Sequence, residues 1–186
     1  MRNDGRPAFA LWITGRPGAG KTTLVRALLE RLHRRDIDPV VLSAEDFRKR
    51  FAPHPMETEK EREAFYRGMV EVAGLFVDRG IPVLIDATGA RRAYRAAARE
   101  CLKGFAEVHV DCPPELCSAR RGGAAARVAG GSSAAAVAEP GTEYEAPVHP
   151  EVAVRTDRDD PDTGAEKTME YLLSAGLIAS RRWYRI

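Results

Sequence analysis

The octapeptide Gly15-Arg16-Pro17-Gly18-Ala19-Gly20-Lys21-Thr22 limits what this chain can fold into more than any other feature. It follows the apolar run Phe9-Ala10-Leu11-Trp12-Ile13-Thr14. It opens a segment, Lys21 to Arg34, whose Leu24, Ala27, Leu28 and Leu32 fall on one helical face. A strand, a glycine-rich turn and a helix in that order make a cradle for phosphate. Glycines let the backbone curl so that successive N–H groups point inward at phosphate oxygens. The helix start adds its positive dipole end. The Gly-x4-Gly-Lys-Thr spacing assigns Lys21 to the terminal phosphates of a nucleoside triphosphate and the Thr22 hydroxyl to Mg2+. Gly15, Arg16, Pro17, Gly18, Ala19, Gly20, Lys21, Thr22 and Thr23 are the expected nucleotide contacts, with ATP and Mg2+ as cofactors. No Asn-Lys-x-Asp guanine-reading sequence occurs, so nothing selects GTP.

Strand-length apolar runs alternate with helix-period segments along the rest of the chain. The runs are Val40–Ser43, Pro82–Asp86, Phe105–Asp111 and Val152–Arg155; the helices are expected over Glu59–Asp78, Arg91–Leu102, Pro114–Arg121 and Thr163 or Gly164 to Ala175. Mostly continuous apolar runs suit strands buried on both faces. The alternation predicts an α/β fold of the P-loop NTPase type, a five-stranded parallel sheet sandwiched between helices. The 186 residues suit a single domain, 1–186. Residues 122–140 break the pattern. They are rich in Ala, Gly and Ser and carry no large apolar side chain beyond Val128 and Val137. A mobile lid and a surface loop without a role are equally compatible with that composition.

The net charge of +2 gives no global field for nucleic acid or membrane, so neither is expected as a partner. Three cysteines, Cys101, Cys112 and Cys117, form no C-x-x-C pair and no closed disulfide framework. Residues 1–7 lack a signal-peptide apolar core, and no run is long enough to span a membrane. The expectation is a cytoplasmic chain with reduced thiols.

In a parallel sheet the ligand crevice lies beyond the carboxyl ends of the strands. Ser43-Ala44-Glu45-Asp46-Phe47-Arg48 begins at the end of the second strand, opposite the phosphate loop. Phosphoryl transfer to a hydroxyl needs a carboxylate to orient the nucleophile and accept its proton. Glu45 or Asp46 can serve, while Ser43 or Asp46 can equally cap a following turn. Asp86, ending the third strand, can act on Mg2+ through water or hold the phosphate-loop region by hydrogen bonds. Arg48, Arg62 and Arg67, with Phe65 and Tyr66 between the last two, belong to the region expected to cover the acceptor. Guanidinium forks suit phosphate or sulfate, although each arginine alone also reads as a solvated helix face.

These motifs, with Val72-Ala73, Arg95-x-x-x-Arg99, Glu115-Leu116-Cys117-x-x-Arg120 and Tyr144-Glu145-Ala146-Pro147-x-x-Pro150-Glu151, fall in the order seen in adenylylsulfate kinases, which the chain resembles over most of its length. That family transfers the γ-phosphoryl of MgATP to the 3′-hydroxyl of adenylylsulfate, giving PAPS. The resemblance implies that Glu45 lies near the acceptor hydroxyl and the metal. It implies that Phe47, Arg48, Arg62, Phe65 and Arg67 face a nucleotide-like acceptor, and that Arg120 stacks on the ATP adenine beside Thr156. Departures cluster on the acceptor side. The family's Asp-Gly-Asp reads Ser43-Ala44-Glu45, the Asn and second Arg of its Asn-Ile-Arg-Arg read Phe65 and Gly68, and its Ile-Ser-Pro reads Thr88-Gly89-Ala90. Ser43–Arg50 and Ile85-Asp86-Ala87-Thr88 also resemble polynucleotide-kinase-like and small-molecule P-loop kinases. Another hydroxyl acceptor, or nucleotide binding without transfer, are therefore the alternative functions, and a homodimer is compatible with either.

Overall fold

The computed structural model describes residues 8–52, 54–127 and 143–179. Five strands, β1 (Ala10–Thr14), β2 (Val40–Ser43), β3 (Val83–Asp86), β4 (Phe105–Asp111) and β5 (Val152–Arg155), form one parallel sheet in the order β2-β3-β1-β4-β5. Ala10 pairs with Val83 on one side and Phe105 on the other, so β1 is central. Six helices complete the described residues: α1 (Lys21–His33), α2 (Ala44–Phe51), α3 (Glu59–Val77), α4 (Arg92–Cys101), α5 (Pro114–Arg127) and α6 (Pro161–Ser174).

The period-2 alternation of β1 divides its side chains between two cores. Phe9, Leu11 and Ile13 pack with Leu24, Leu28 and Leu32 of α1 and with Met169 and Leu172 of α6. Ala10 and Trp12 face the other way, against Phe65, Tyr66 and Met69 of α3 and Tyr94 and Ala98 of α4. All five residues of β1 are buried. Both faces of the sheet are therefore covered, which is why the strands read as continuous apolar runs.

Helix boundaries depart from the sequence expectation in three places. The segment after Ser43 is a full helix, α2, with the Asp46 N–H donating to Ser43 Oγ at 3.3 Å. Helix α5 continues past Arg121 to Arg127, absorbing the start of the proposed lid; residues 128–140 of that lid lie outside the described residues. Helix α6 starts at Pro161, where Asp160 accepts from the Thr163 N–H at 2.7 Å and proline occupies the first helical position. No described helix is long and apolar enough to cross a membrane.

Candidate active site

The phosphate loop leaves β1 at its carboxyl end and curls before α1. Gly18 (φ +86°) and Gly20 (φ +103°) adopt left-handed conformations that favour glycine. A Cβ on Gly18 would lie 2.5 Å from the Cys117 carbonyl oxygen, so the turn is also held close to α5. The Ala19 N–H closes the turn onto the Arg16 carbonyl at 3.0 Å. Lys21 Nζ donates to the Gly15 and Arg16 carbonyls at 3.1 and 3.3 Å, which keeps the ammonium across the mouth of the loop. Helix α1 has no capping side chain and no acid in its first turn. Its N-terminal donors are thus presented to the loop interior, an environment suited to an anion.

The floor beyond the loop is acidic. Thr22 Oγ1 donates to Asp86 Oδ2 at 2.6 Å, joining α1 to the end of β3. Burial pushes the Asp86 carboxyl above its ordinary value, while the Thr22 hydrogen bond and the Lys21 charge pull it back down. Pro17, Lys21, Thr22, Glu45, Asp86 and Arg121 are among the residues lining one cavity of about 250 Å3. Glu45, on the first turn of α2, is half-exposed and accepts from Lys49 Nζ at 2.7 Å. Asp46 does not line this cavity; its side chain is 70% exposed and turns outward, 3.9 Å from Lys49 Nζ. Of the two acids that the sequence left open, the fold brings only Glu45 to the phosphate loop, because consecutive helix positions point about 100° apart.

On the other flank, Arg120 of α5 donates to Thr156 Oγ1 at 3.0 Å and to the Thr156 carbonyl at 2.8 Å. Both line a recess of about 180 Å3 with Gly20, Thr23 and Asp159. Arg120 and Thr156, expected together at the nucleotide base, are together here.

The other acceptor-side candidates are placed differently from the expectation. Arg62 is committed to the start of its own helix: it donates to the Met56 carbonyl at 3.1 Å and pairs with Glu59 at 3.1 Å. Arg67 is exposed and pairs with Glu63 at 2.8 Å. Phe65 is buried, edge-on to Phe47 at 5.4 Å between ring centroids. Both rings belong to an apolar groove between α2 and α3 rather than to the cavity holding Glu45. Arg48 is half-buried on α2 and does not line that cavity either.

Several residues that organise the site carried no assigned role in the sequence reading. Thr14 donates to the Thr88 carbonyl at 2.6 Å and shares a 3.2 Å hydrogen bond with the Tyr144 hydroxyl. Arg95, 2% exposed, donates to Glu107, to the Gly89 carbonyl, and at 2.6 Å to the Glu145 carbonyl. Glu145 accepts from Arg91 Nη1 and from the Arg92 N–H, each at 2.8 Å. Arg99 grips Glu151 with two bonds of 2.6 and 2.8 Å. The Tyr144–Glu151 segment is therefore bolted to α4, and both sides of this contact carried a signal in the sequence, the Arg95-x-x-x-Arg99 pair and the Tyr-Glu-Ala-Pro run. What the sequence could not show was that they meet.

Residues 7–155 match the protein-family model for adenylylsulphate kinase. A probable adenylyl-sulfate kinase of Archaeoglobus fulgidus is 34% identical over 153 residues, covering 82% of this chain and 99% of that protein. An adenylyl-sulfate kinase of Paraburkholderia xenovorans is 31% identical over 173 residues, covering 91% and 95%. Among solved structures, the Mycobacterium tuberculosis APS kinase CysC, in complex with AMPPNP and APS, shares the fold with a TM-score of 0.75 at 24% identity, over 90% of this chain and 98% of that one. With a phosphate loop backed by Thr22–Asp86 and a family match over 149 of its residues, this chain belongs to the adenylylsulphate kinase family.

Proposed function

We propose that this chain transfers the γ-phosphoryl group of ATP to the 3′-hydroxyl of adenylylsulfate, giving PAPS and ADP. The observation that carries the reading is the single cavity in which Lys21 and Thr22 of the phosphate loop face Glu45 and Asp86. A transferred phosphoryl needs positioning and electrostatic stabilisation more than covalent chemistry. Lys21 and the N–H groups at the start of α1 offset charge on the transferred phosphoryl. Glu45 takes the proton of the acceptor hydroxyl as the new O–P bond forms and the bond to ADP breaks. Arg120 and Thr156 hold the base of the nucleotide. The described residues form one sheet with helices on both faces, which supports reading the chain as one domain.

The residues fit a magnesium ion. Thr22 offers a hydroxyl, Asp86 an adjoining carboxylate and Glu45 a second acid, whereas no cluster of three or more His, Cys, Asp or Glu among the described residues makes a dedicated metal cage. That donor set suits an ion carried in with substrate phosphates. When bound, magnesium supplies charge neutralisation on the phosphates.

Incubating the protein with ATP, Mg2+ and adenylylsulfate should yield the 3′-phosphorylated product, detected by anion-exchange chromatography. ADP formation that needs a different hydroxyl compound would replace this acceptor; ATP binding without turnover on any acceptor would replace transfer itself. The first alternative draws support from Ser43-Ala44-Glu45, Phe65 and Gly68, which stand where the family carries other residues. A cytoplasmic location and a homodimer accompany the proposal, to be checked by fractionation and light scattering.

A further inference from the structure

A second recess, of about 270 Å3, adjoins the catalytic cavity. The two share Pro17, Thr88 and Arg121 in their walls, so they form one continuous cleft passing the phosphate loop. Arg16, Ser118, Arg121 and Tyr144 all line the second recess. Arg16 is half-buried, its guanidinium carbon 5.6 Å from the centre of the Tyr144 ring. Arg121 lies along the loop: its Cγ is 3.0 Å from where a Cβ on Gly18 would stand.

These two arginines differ from their neighbours. Arg62, Arg67, Arg91, Arg95 and Arg99 are each tied to a carboxylate. Neither Arg16 nor Arg121 has a side-chain hydrogen bond or an ion pair among the described residues. The other groups facing the recess leave that positive charge largely intact. Glu143 is the acid on its wall, and it is exposed. His109 stacks on Tyr144, and burial pushes its pKa down towards the neutral ring, opposed by the Asp111 charge and helped by Arg95 and Arg16. Cys117 is buried, which raises its thiol to about 12 and keeps it uncharged. Two arginines without a carboxylate partner, half-buried Arg16 and exposed Arg121, in the lining of one polar recess suit a tetrahedral oxyanion.

We propose that Arg16 and Arg121 bind the anionic end of the acceptor, the sulfate or phosphate carried by its nucleotide, while its hydroxyl lies by Glu45 in the adjoining cavity. The inference rests on the acceptor reading given above. It moves acceptor recognition from Arg62 and Arg67, which are occupied by Glu59 and Glu63, to a pair that is not occupied; Arg48 also lacks a carboxylate partner among the described residues, but it lines neither recess.

Two measurements test it. The first compares Arg16→Gln, Arg121→Gln and Arg67→Gln in steady-state assays with adenylylsulfate. Each of the first two should raise the acceptor KM about tenfold, as loss of a charge-assisted contact does, with the KM for ATP shifting less than about threefold. The third should leave the acceptor KM unchanged. An unchanged acceptor KM in Arg16→Gln and Arg121→Gln overturns the proposal while the kinase reading stands. The second measurement needs no turnover. With Mg2+ and a non-hydrolysable ATP analogue filling the phosphate loop, inorganic sulfate is titrated while the 15N guanidinium resonances are followed. Arg16 and Arg121 should shift at lower sulfate than Arg62 or Arg67. If they do and adenylylsulfate is not phosphorylated, the anion subsite holds and the acceptor assignment falls. If they do not shift first, the subsite falls.

Discussion

Thr22 Oγ1 sits 2.6 Å from Asp86 Oδ2, so the first turn of α1 is fastened to the end of β3 by a hydroxyl that also belongs to the phosphate loop. The contact brings a buried carboxylate to the expected position of the nucleotide's terminal phosphates. Its energetic consequence can be measured.

Burial holds the Asp86 carboxyl above its ordinary value of 3.8. The folded chain therefore keeps this proton to higher pH than the unfolded chain, and stability falls as pH rises from about 3.8 through the raised folded value. Asp86→Asn removes the ionisation but keeps an acceptor for Thr22. Its Tm should exceed that of the parent at pH 7, with the advantage shrinking as pH falls towards 4, while turnover drops. Thermal melts across pH check this, and a lower Tm at pH 7 would count against it.

Lys21→Ala should lower kcat by roughly 10^2- to 10^3-fold, the usual effect of removing one preorganised electrostatic contact to the transition state. Single-turnover kinetics with saturating ATP measures it.

Glu45→Gln and Asp46→Asn separate the two neighbouring acids. Loss of a general base typically costs 10^2- to 10^4-fold, so Glu45→Gln should reduce kcat by about that factor with a smaller change in ATP affinity. Asp46→Asn should stay within about twofold. The opposite ranking would transfer the role to Asp46.

Arg95→Met should destabilise the fold by about 3–5 kcal/mol, because it leaves the buried Glu107 carboxylate with only Arg99, 3.9 Å away, and removes the donors to the Gly89 and Glu145 carbonyls. The double variant Arg95→Met/Glu107→Gln should recover part of the loss. Urea unfolding of the four-member cycle gives the coupling.

The sheet was legible because each strand is an apolar run between turn signals, and the phosphate loop because its spacing carries its own mechanism. Helix α2 was not. Five of its eight residues are charged, and Phe47 and Phe51 are its only large apolar side chains, a pair that a short sequence window does not distinguish from a capped turn. The local pairing of Arg62 and Arg67 follows from helical geometry, which their place in the sequence motif did not reveal. Five residues apart, they point about 140° from each other, and acids three and four residues earlier reach them first. Arg16 beside Tyr144 joins residues 128 positions apart, a proximity that only the fold creates.

Because β1 is hydrogen-bonded along both edges and none of its residues reaches solvent, its amides can exchange with deuterated water only when the whole domain opens. The phosphate loop is the direct continuation of that strand. Ligand held there is coupled to the slowest-exchanging part of the chain, so occupancy should register in β1 as a longer lifetime of the closed molecule.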